Sequence, residues 1–436
     1  MRTALFLLFG LLCTVPLRAE VHRSSDFGWE ADQDVSEVFD DLLENGKLQP
    51  GDELVLDQTY RISGNHALPD NITLSAVEGA GFDVTDAVEP KNNRPLLELG
   101  DNTTLRNLTI TYLNTPELGP TGEKRGVTFT RRKGIYARGK SNLRIENCRL
   151  TGSIGNHLKL IDCRNVEVIG SHIAGGHWTV HLVGVRDIVF RRCLIEKCQG
   201  DAIKTGGGSK RSGGATREVL VENCVFQDNL RDGIDTTGGF NDSVVRNCIF
   251  RRMGVSGMDI KSHYESRTGD LSDLAPENIG IRVEECLFHD MANAVVLTTS
   301  DRGYRKGPGN ELLTAENVEE YVPHDIEIVE CVVGHAEKPL RPRGKGGYGV
   351  DYPSEEGEHM RMIFLKDAHS VRYLNVRLSG ERIRPVLVRP GRSLCKGASE
   401  ALDRTVTGNV LDEPAPPIKP GVTEVAFDCG PQPLQQ

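Results

Sequence analysis

The chain has 436 residues, of which 38% are hydrophobic, 26% charged and 6% aromatic. That balance excludes a bundle of membrane-spanning helices and a disordered chain, and a formal net charge of −10 excludes a protein whose whole surface attracts nucleic acid. Forty-seven glycines imply many tight turns, and therefore many short strands.

Residues 1–19 read as an export leader: Arg2, an apolar run from Ala4 to Val15, and Leu17-Arg18-Ala19 as a cleavage site before Glu20. Loss of Arg2 and Arg18 takes the net charge from −10 to −12. Neither the leader nor any later stretch is long enough in apolar residues to span a membrane, so a secreted or periplasmic protein is expected. Residues 20–60 are expected to form an N-terminal cap. There Val35, Val38, Phe39, Leu42 and Leu43 share one helical face able to cover an open strand edge.

From about residue 100 the sequence repeats. Leu108, Cys148, Ser171, Cys193, Cys224, Cys248, Cys286, Cys331 and Val376 fill one slot, in contexts such as Glu146-Asn147-Cys148, Glu222-Asn223-Cys224 and Arg246-Asn247-Cys248. The shortest steps, 22 to 24 residues, suit one turn of a three-sided coil. A second column follows the cysteine slots by 10 or 11 residues: Lys159, His181, Lys204, Asp235, Asp259, Val296 and Arg341, with Tyr136 at its head. Its neighbours are mostly apolar, the period-two pattern of a strand with one buried face. Short strands that cannot bury a face alone, repeated at constant spacing, predict an all-β parallel solenoid over residues 61–385, with a proline-rich tail over 386–436. Cysteines stacked inward in such a coil read as inert thiols, and Cys395 with Cys429 in the tail as a pair able to form a disulfide.

Between the polar column and the next cysteine slot the interval grows from 12 to as many as 35 residues. Extra segments within Gly206–Arg217, His263–Asn278, Ser300–Val322 and Lys345–Glu358 are therefore expected to leave the coil after the polar strand and to wall one side of a trough. Three residues upstream of the column stand Asn156, Trp178, Asp201, Asp232 and Ser256; two downstream stand Thr237, Lys261, Thr298 and Arg343. Asp201, Asp232, Asp235 and Asp259 thus converge on neighbouring turns. Carboxylates that close raise one another's pKa unless a cation intervenes, and calcium suits such an oxygen set. The plainer reading of the same residues is a solvated strand face on which Lys204 pairs with Asp235.

The turn spacing, Asn-Cys slots and helical cap resemble the pectate-lyase-like superfamily. The resemblance implies a right-handed single-stranded parallel β-helix with a carbohydrate groove. Within it, Asp201-Ala202-Ile203-Lys204, Arg231-Asp232-Gly233-Ile234-Asp235 and Gly257-Met258-Asp259-Ile260-Lys261 are similar to the signature of polysaccharide lyase family nine. There aspartates bind calcium and a lysine takes the proton. Asp201, Asp232 and Asp235 carry over as metal ligands, Arg231 replaces a further aspartate, and Asp259 stands where the lysine belongs. What this implies is calcium-assisted β-elimination on an acidic polysaccharide. Lys261 or Lys204 is then the base if neighbouring cations lower its pKa, and Asp259 is a fourth candidate ligand. His181, Lys159, Trp178, Arg341 and Arg343 are expected to bind substrate, and the chain to be a monomer. A glycoside hydrolase using paired aspartates and a non-catalytic polysaccharide-binding or envelope solenoid stand as alternatives.

Overall fold

The computed structural model describes residues 19–87, 94–115, 130–206, 214–237, 239–263, 278–300, 322–334, 360–365, 368, 370–379, 383–388 and 406–411. Short strands pair in parallel with the strands one turn before and one turn after. A single turn shows the plan. Asn156–Ile161, Arg164–Ile169 and His172–Ala174 follow one another, and pair in register with Trp178–Val183, Arg186–Arg191 and Leu194–Glu196 of the next turn. Three strands per turn make three walls: one is an 11-stranded sheet carrying the polar column, and the other two belong to a 23-stranded assembly.

The Asn-Cys slot has a backbone reason. Asn107, Asn147, Asn223 and Asn247 adopt left-handed φ values of 59°, 52°, 54° and 51°, which asparagine tolerates better than most residues. That conformation bends the chain between the second and third walls and turns the next side chain inward. Cys148, Cys193, Cys224, Cys248, Cys286 and Cys331 are accordingly no more than 1% exposed and unbridged. They stack in the expected register, each thiol near main-chain carbonyls, as Cys286 Sγ is to Val245 O at 3.5 Å. Burial pushes the Cys148 thiol up to about 12, which keeps it protonated and unreactive. Beside it Phe226, Phe250 and Phe288 stack on successive turns, ring centroids 4.7 and 4.9 Å apart and nearly parallel.

The helix Ser36–Glu44 caps the first turns through Phe39, Leu42 and Leu43; Val38 lies outside this face, 41% exposed. The coil begins before residue 61, because Val21–Arg23 pairs with Glu53–Leu56 and that strand with Thr73–Ala76. At the far end Val406–Leu411 still pairs with Val371–Ser379, past residue 385. Residues 1–18, Cys395 and Cys429 lie outside the described residues.

In chain order the inserted segments do not all follow the polar strand. Residues 207–213, 264–277 and 301–321, which lie outside the described residues, come in the chain after strands of the 11-stranded sheet, whereas residues 116–129 and 335–359, also outside them, come before the strands Lys133–Arg138 and Met360–Leu365. The segment Lys345–Glu358 lies outside the described residues.

Candidate functional site

Register on the 11-stranded sheet aligns Tyr136, Lys159, His181, Lys204, Asp235, Asp259 and Val296 as direct partners on successive turns. Sequence spacing carried this column on to Arg341. The partner of Val296 is instead Phe364, because the residues between Cys331 and the next strand precede that strand. Arg341 and Arg343 lie outside the described residues. Beside the first column runs a second: Lys133 pairs with Asn156, Trp178 with Asp201, and Ser256 with Asn293. Asp232 continues it, its neighbour Ile234 pairing with both Ile203 and Met258. Two glycines permit this close stacking: a Cβ on Gly233 would fall 2.6 Å from the Phe250 ring and from Gly257 O, and one on Gly257 2.4 Å from Phe288.

Four aspartates meet here, but not on a solvated face. The side chains of Asp201 and Asp235 are 0% exposed, that of Asp232 1%, and that of Asp259 14%. Asp201, Asp232 and Asp235 each bring one carboxylate oxygen within 4.8 Å of the others. Three cations surround them. Lys204 bonds Asp235, Lys261 Nζ stands 3.2 Å from Asp235 Oδ1 and 2.6 Å from Asp259 Oδ2, and Arg231 Nε stands 3.4 Å from Asp201 Oδ1. Asp232 Oδ1 accepts from the Ser256 amide at 3.0 Å. The Lys204–Asp235 pair is the one expected from the sequence. Arg231, visible there only as a departure from the family signature, proves to be a third cation of the cluster.

Three cations do not satisfy four carboxylates, three of them buried. Burial, and then the charge of Asp235, push Asp201 up to about 6; burial, Asp259 and Asp201 push Asp232 well above the usual carboxylate range. For Asp235 burial acts upward too, but Lys204 and Lys261 outweigh it and hold the group low. Neither oxygen of Asp201 accepts a hydrogen bond among the described residues. A hard cation fits this donor set: a further positive charge is what Asp201 and Asp232 lack. Lys261 departs from expectation. Its neighbours are carboxylates rather than cations; burial favours the neutral amine, but Asp235 and Asp259 outweigh it and raise the pKa.

Upstream the same wall turns aromatic and basic. Trp178 stacks on His177 at 5.1 Å, meets His181 edge-on at 5.1 Å, and lies 6.0 Å beneath Lys204 Nζ. Burial, then Lys159 and Lys204, bring His181 down to about 3, so its imidazole is neutral. Gly206 makes room for that ring, since a Cβ there would lie 2.6 Å from His181 Nε2. Lys133 was not singled out from the sequence, although extending the second column by one turn reaches it. A recess on another wall, lined by Asp242, Arg282, Glu327 and Arg372, is spanned by its own ion pairs, Arg282 and Arg372 each bonding Glu327.

The sequence matches the model of the right handed beta helix region over residues 96–268. Solved structures agree along nearly the whole chain. A polygalacturonase from Erwinia carotovora ssp. carotovora shares 13% identity at a TM-score of 0.56, covering 83% of this chain and 96% of its own. The coil is a right-handed parallel β-helix. PfbA, a surface adhesin of Streptococcus pneumoniae, shares 13% identity at a TM-score of 0.59, with 89% and 90% covered. The A-module of the Azotobacter vinelandii mannuronan C-5 epimerase AlgE6 shares 14% at 0.54, with 91% and 100% covered. No curated protein matches the sequence. At such identities the likeness establishes the fold, and no helix among the described residues is long and apolar enough to cross a membrane.

Proposed function

We propose that this β-helix is an exported enzyme that binds an acidic polysaccharide along the polar wall and cleaves it by β-elimination at the aspartate cluster. The observation that carries the reading is the meeting of Asp201, Asp232 and Asp235, buried and short of positive charge, on the columns that also hold Lys159, Trp178, His181 and Lys204. Structural neighbours named as a polygalacturonase and a mannuronan epimerase agree with an acidic sugar polymer as the ligand class.

In β-elimination a base takes the proton from C5 of a uronate, and its electron pair forms the C4–C5 double bond. The bond from C4 to the glycosidic oxygen breaks, and that oxygen receives a proton. Calcium, held by Asp201, Asp232 and Asp235, would supply the positive charge that neutralises the C6 carboxylate and acidifies C5. Lys204 and Lys261 flank the same carboxylate, Asp235, from adjacent turns. The lysine that takes the C5 proton must be released from Asp235, whereas one that stays paired is placed to return a proton to the leaving oxygen. Trp178 offers a ring face for a sugar.

The test is ultraviolet absorbance of the unsaturated product after incubation with polygalacturonate, alginate or a glycosaminoglycan, with calcium and then with chelator. Absorbance should rise with one of these polymers, stop on chelation, vanish in Asp235→Ala, and fall by about a hundredfold or more in Lys261→Ala. New reducing ends without absorbance would make the protein a hydrolase. A second reading, a polysaccharide-binding solenoid without catalysis, is favoured by the ion pairs that already engage Lys204 and Lys261. It requires binding with neither signal.

A further inference from the structure

The cations of the polar wall fall into two groups. Arg231, Lys204 and Lys261 are matched with aspartates. Lys133 and Lys159 are not: on adjacent turns, partly buried, neither has a carboxylate or hydrogen-bond partner among the described residues. Lys133 Nζ lies 5.8 Å from the centroid of the Tyr136 ring, and Lys159 is in direct register with His181. Burial lowers the pKa of both, and Lys133 adds to the lowering at Lys159. An ammonium partly withdrawn from water without a counter-charge is costly, and two side by side repel each other and cost more. The third member of the group points the same way. His181 is 9% exposed, its Nδ1 is buried without a hydrogen-bond partner, and Lys159 and Lys204 flank it on the column. A neutral imidazole can donate an N–H to an anion without adding to the crowd of positive charge.

We infer that Lys133, Lys159 and His181 form a separate anion subsite that takes a carboxylate or sulfate of the polymer. This rests on the proposed binding of an acidic polysaccharide, and adds a selection rule to it. Lys159 stands three turns from Asp235, a distance of about 14 Å. That is further than one sugar residue reaches, so the charge bound here belongs to a different residue from the one at the aspartate cluster. The ligand is then a polymer with acidic groups on at least two residues within a few units of each other, rather than one with a single isolated acidic unit.

The experiment measures binding without turnover: retention of the full chain, in chelator and at low salt, on immobilised polygalacturonate, its methyl ester, and a carrageenan. Wild type should bind polygalacturonate, carrageenan or both, but not the methyl ester, and the preferred polyanion identifies carboxylate or sulfate as the group bound. Lys133→Met and Lys159→Met, which keep most of the aliphatic stem, should each weaken that binding by roughly tenfold, with Lys159→Arg restoring much of it. Equal affinity of wild type and the double variant, or equal binding of the methyl ester, overturns the subsite. If the double variant loses retention while wild type cleaves none of the polymers, the subsite stands and β-elimination fails. If wild type cleaves and the double variant keeps its KM, the reverse holds.

Discussion

At the scale of single residues, the cluster stores unfavourable charge that folding must overcome. Asp201 has a folded-state pKa of about 6, above the unfolded value of about 3.9, so between these values the folded protein holds more protons than the unfolded one. The contribution of Asp201 to stability therefore falls as pH rises through that window, and its whole deficit, on the order of 2–3 kcal/mol, is present above it. The neutral His157, His177 and His181, whose pKa values burial lowers, act in the opposite direction, so the Asp201 contribution is read from the difference between variant and wild type. Asp201→Asn should match wild type near the acid end and be more stable at neutral pH by about that amount, measured by denaturant titration in chelator. The same variant should be inactive, the usual exchange between stability and a strained site. An Asp201→Asn protein less stable than wild type at neutral pH would mean that Arg231 already satisfies this carboxylate.

At the scale of elements, the repeat was legible because each turn needs the same two things at one point: a residue tolerant of left-handed backbone, and a small side chain facing inward. Asn-Cys meets both, and its register held from Leu108 to Val376. Asn247→Val should accordingly cost about 1–2 kcal/mol in denaturant unfolding, while Asn247→Gly should be close to neutral. An equal loss in both would assign the cost to lost side-chain contacts instead. Where length between elements varied, counting failed. Ten residues after Cys331 falls on Arg341, but among the described residues the strand that pairs with Asn293–Ser300 is Met360–Leu365, so the extra length comes before that strand and not after it. Nothing in an insertion's composition states which edge it leaves from. The charges were legible as columns, whereas their burial was not: alternation marks an outward side chain, yet Asp201, Asp232 and Asp235 are enclosed. For the same reason the rise in the Lys261 pKa could not be foreseen, since it depends on which neighbours lie closest.

At the scale of the whole molecule, an even coil brings Asp201, Asp232, Asp235 and Asp259 together although 58 residues separate the first from the last. It also grades the polar wall, with lysines, histidine and tryptophan toward the N-terminal turns and carboxylates further on. The proposed acidic polymer would then meet the local field of one wall and not the global negative charge. The claim under this account is that the aspartate cluster is a cation site. Calorimetric titration of chelator-treated protein with calcium tests it without reference to any substrate. The account predicts one site per chain, lost in Asp232→Asn and kept in Asp228→Asn on another wall; a wild-type protein that takes up no calcium at concentrations up to about millimolar would contradict it.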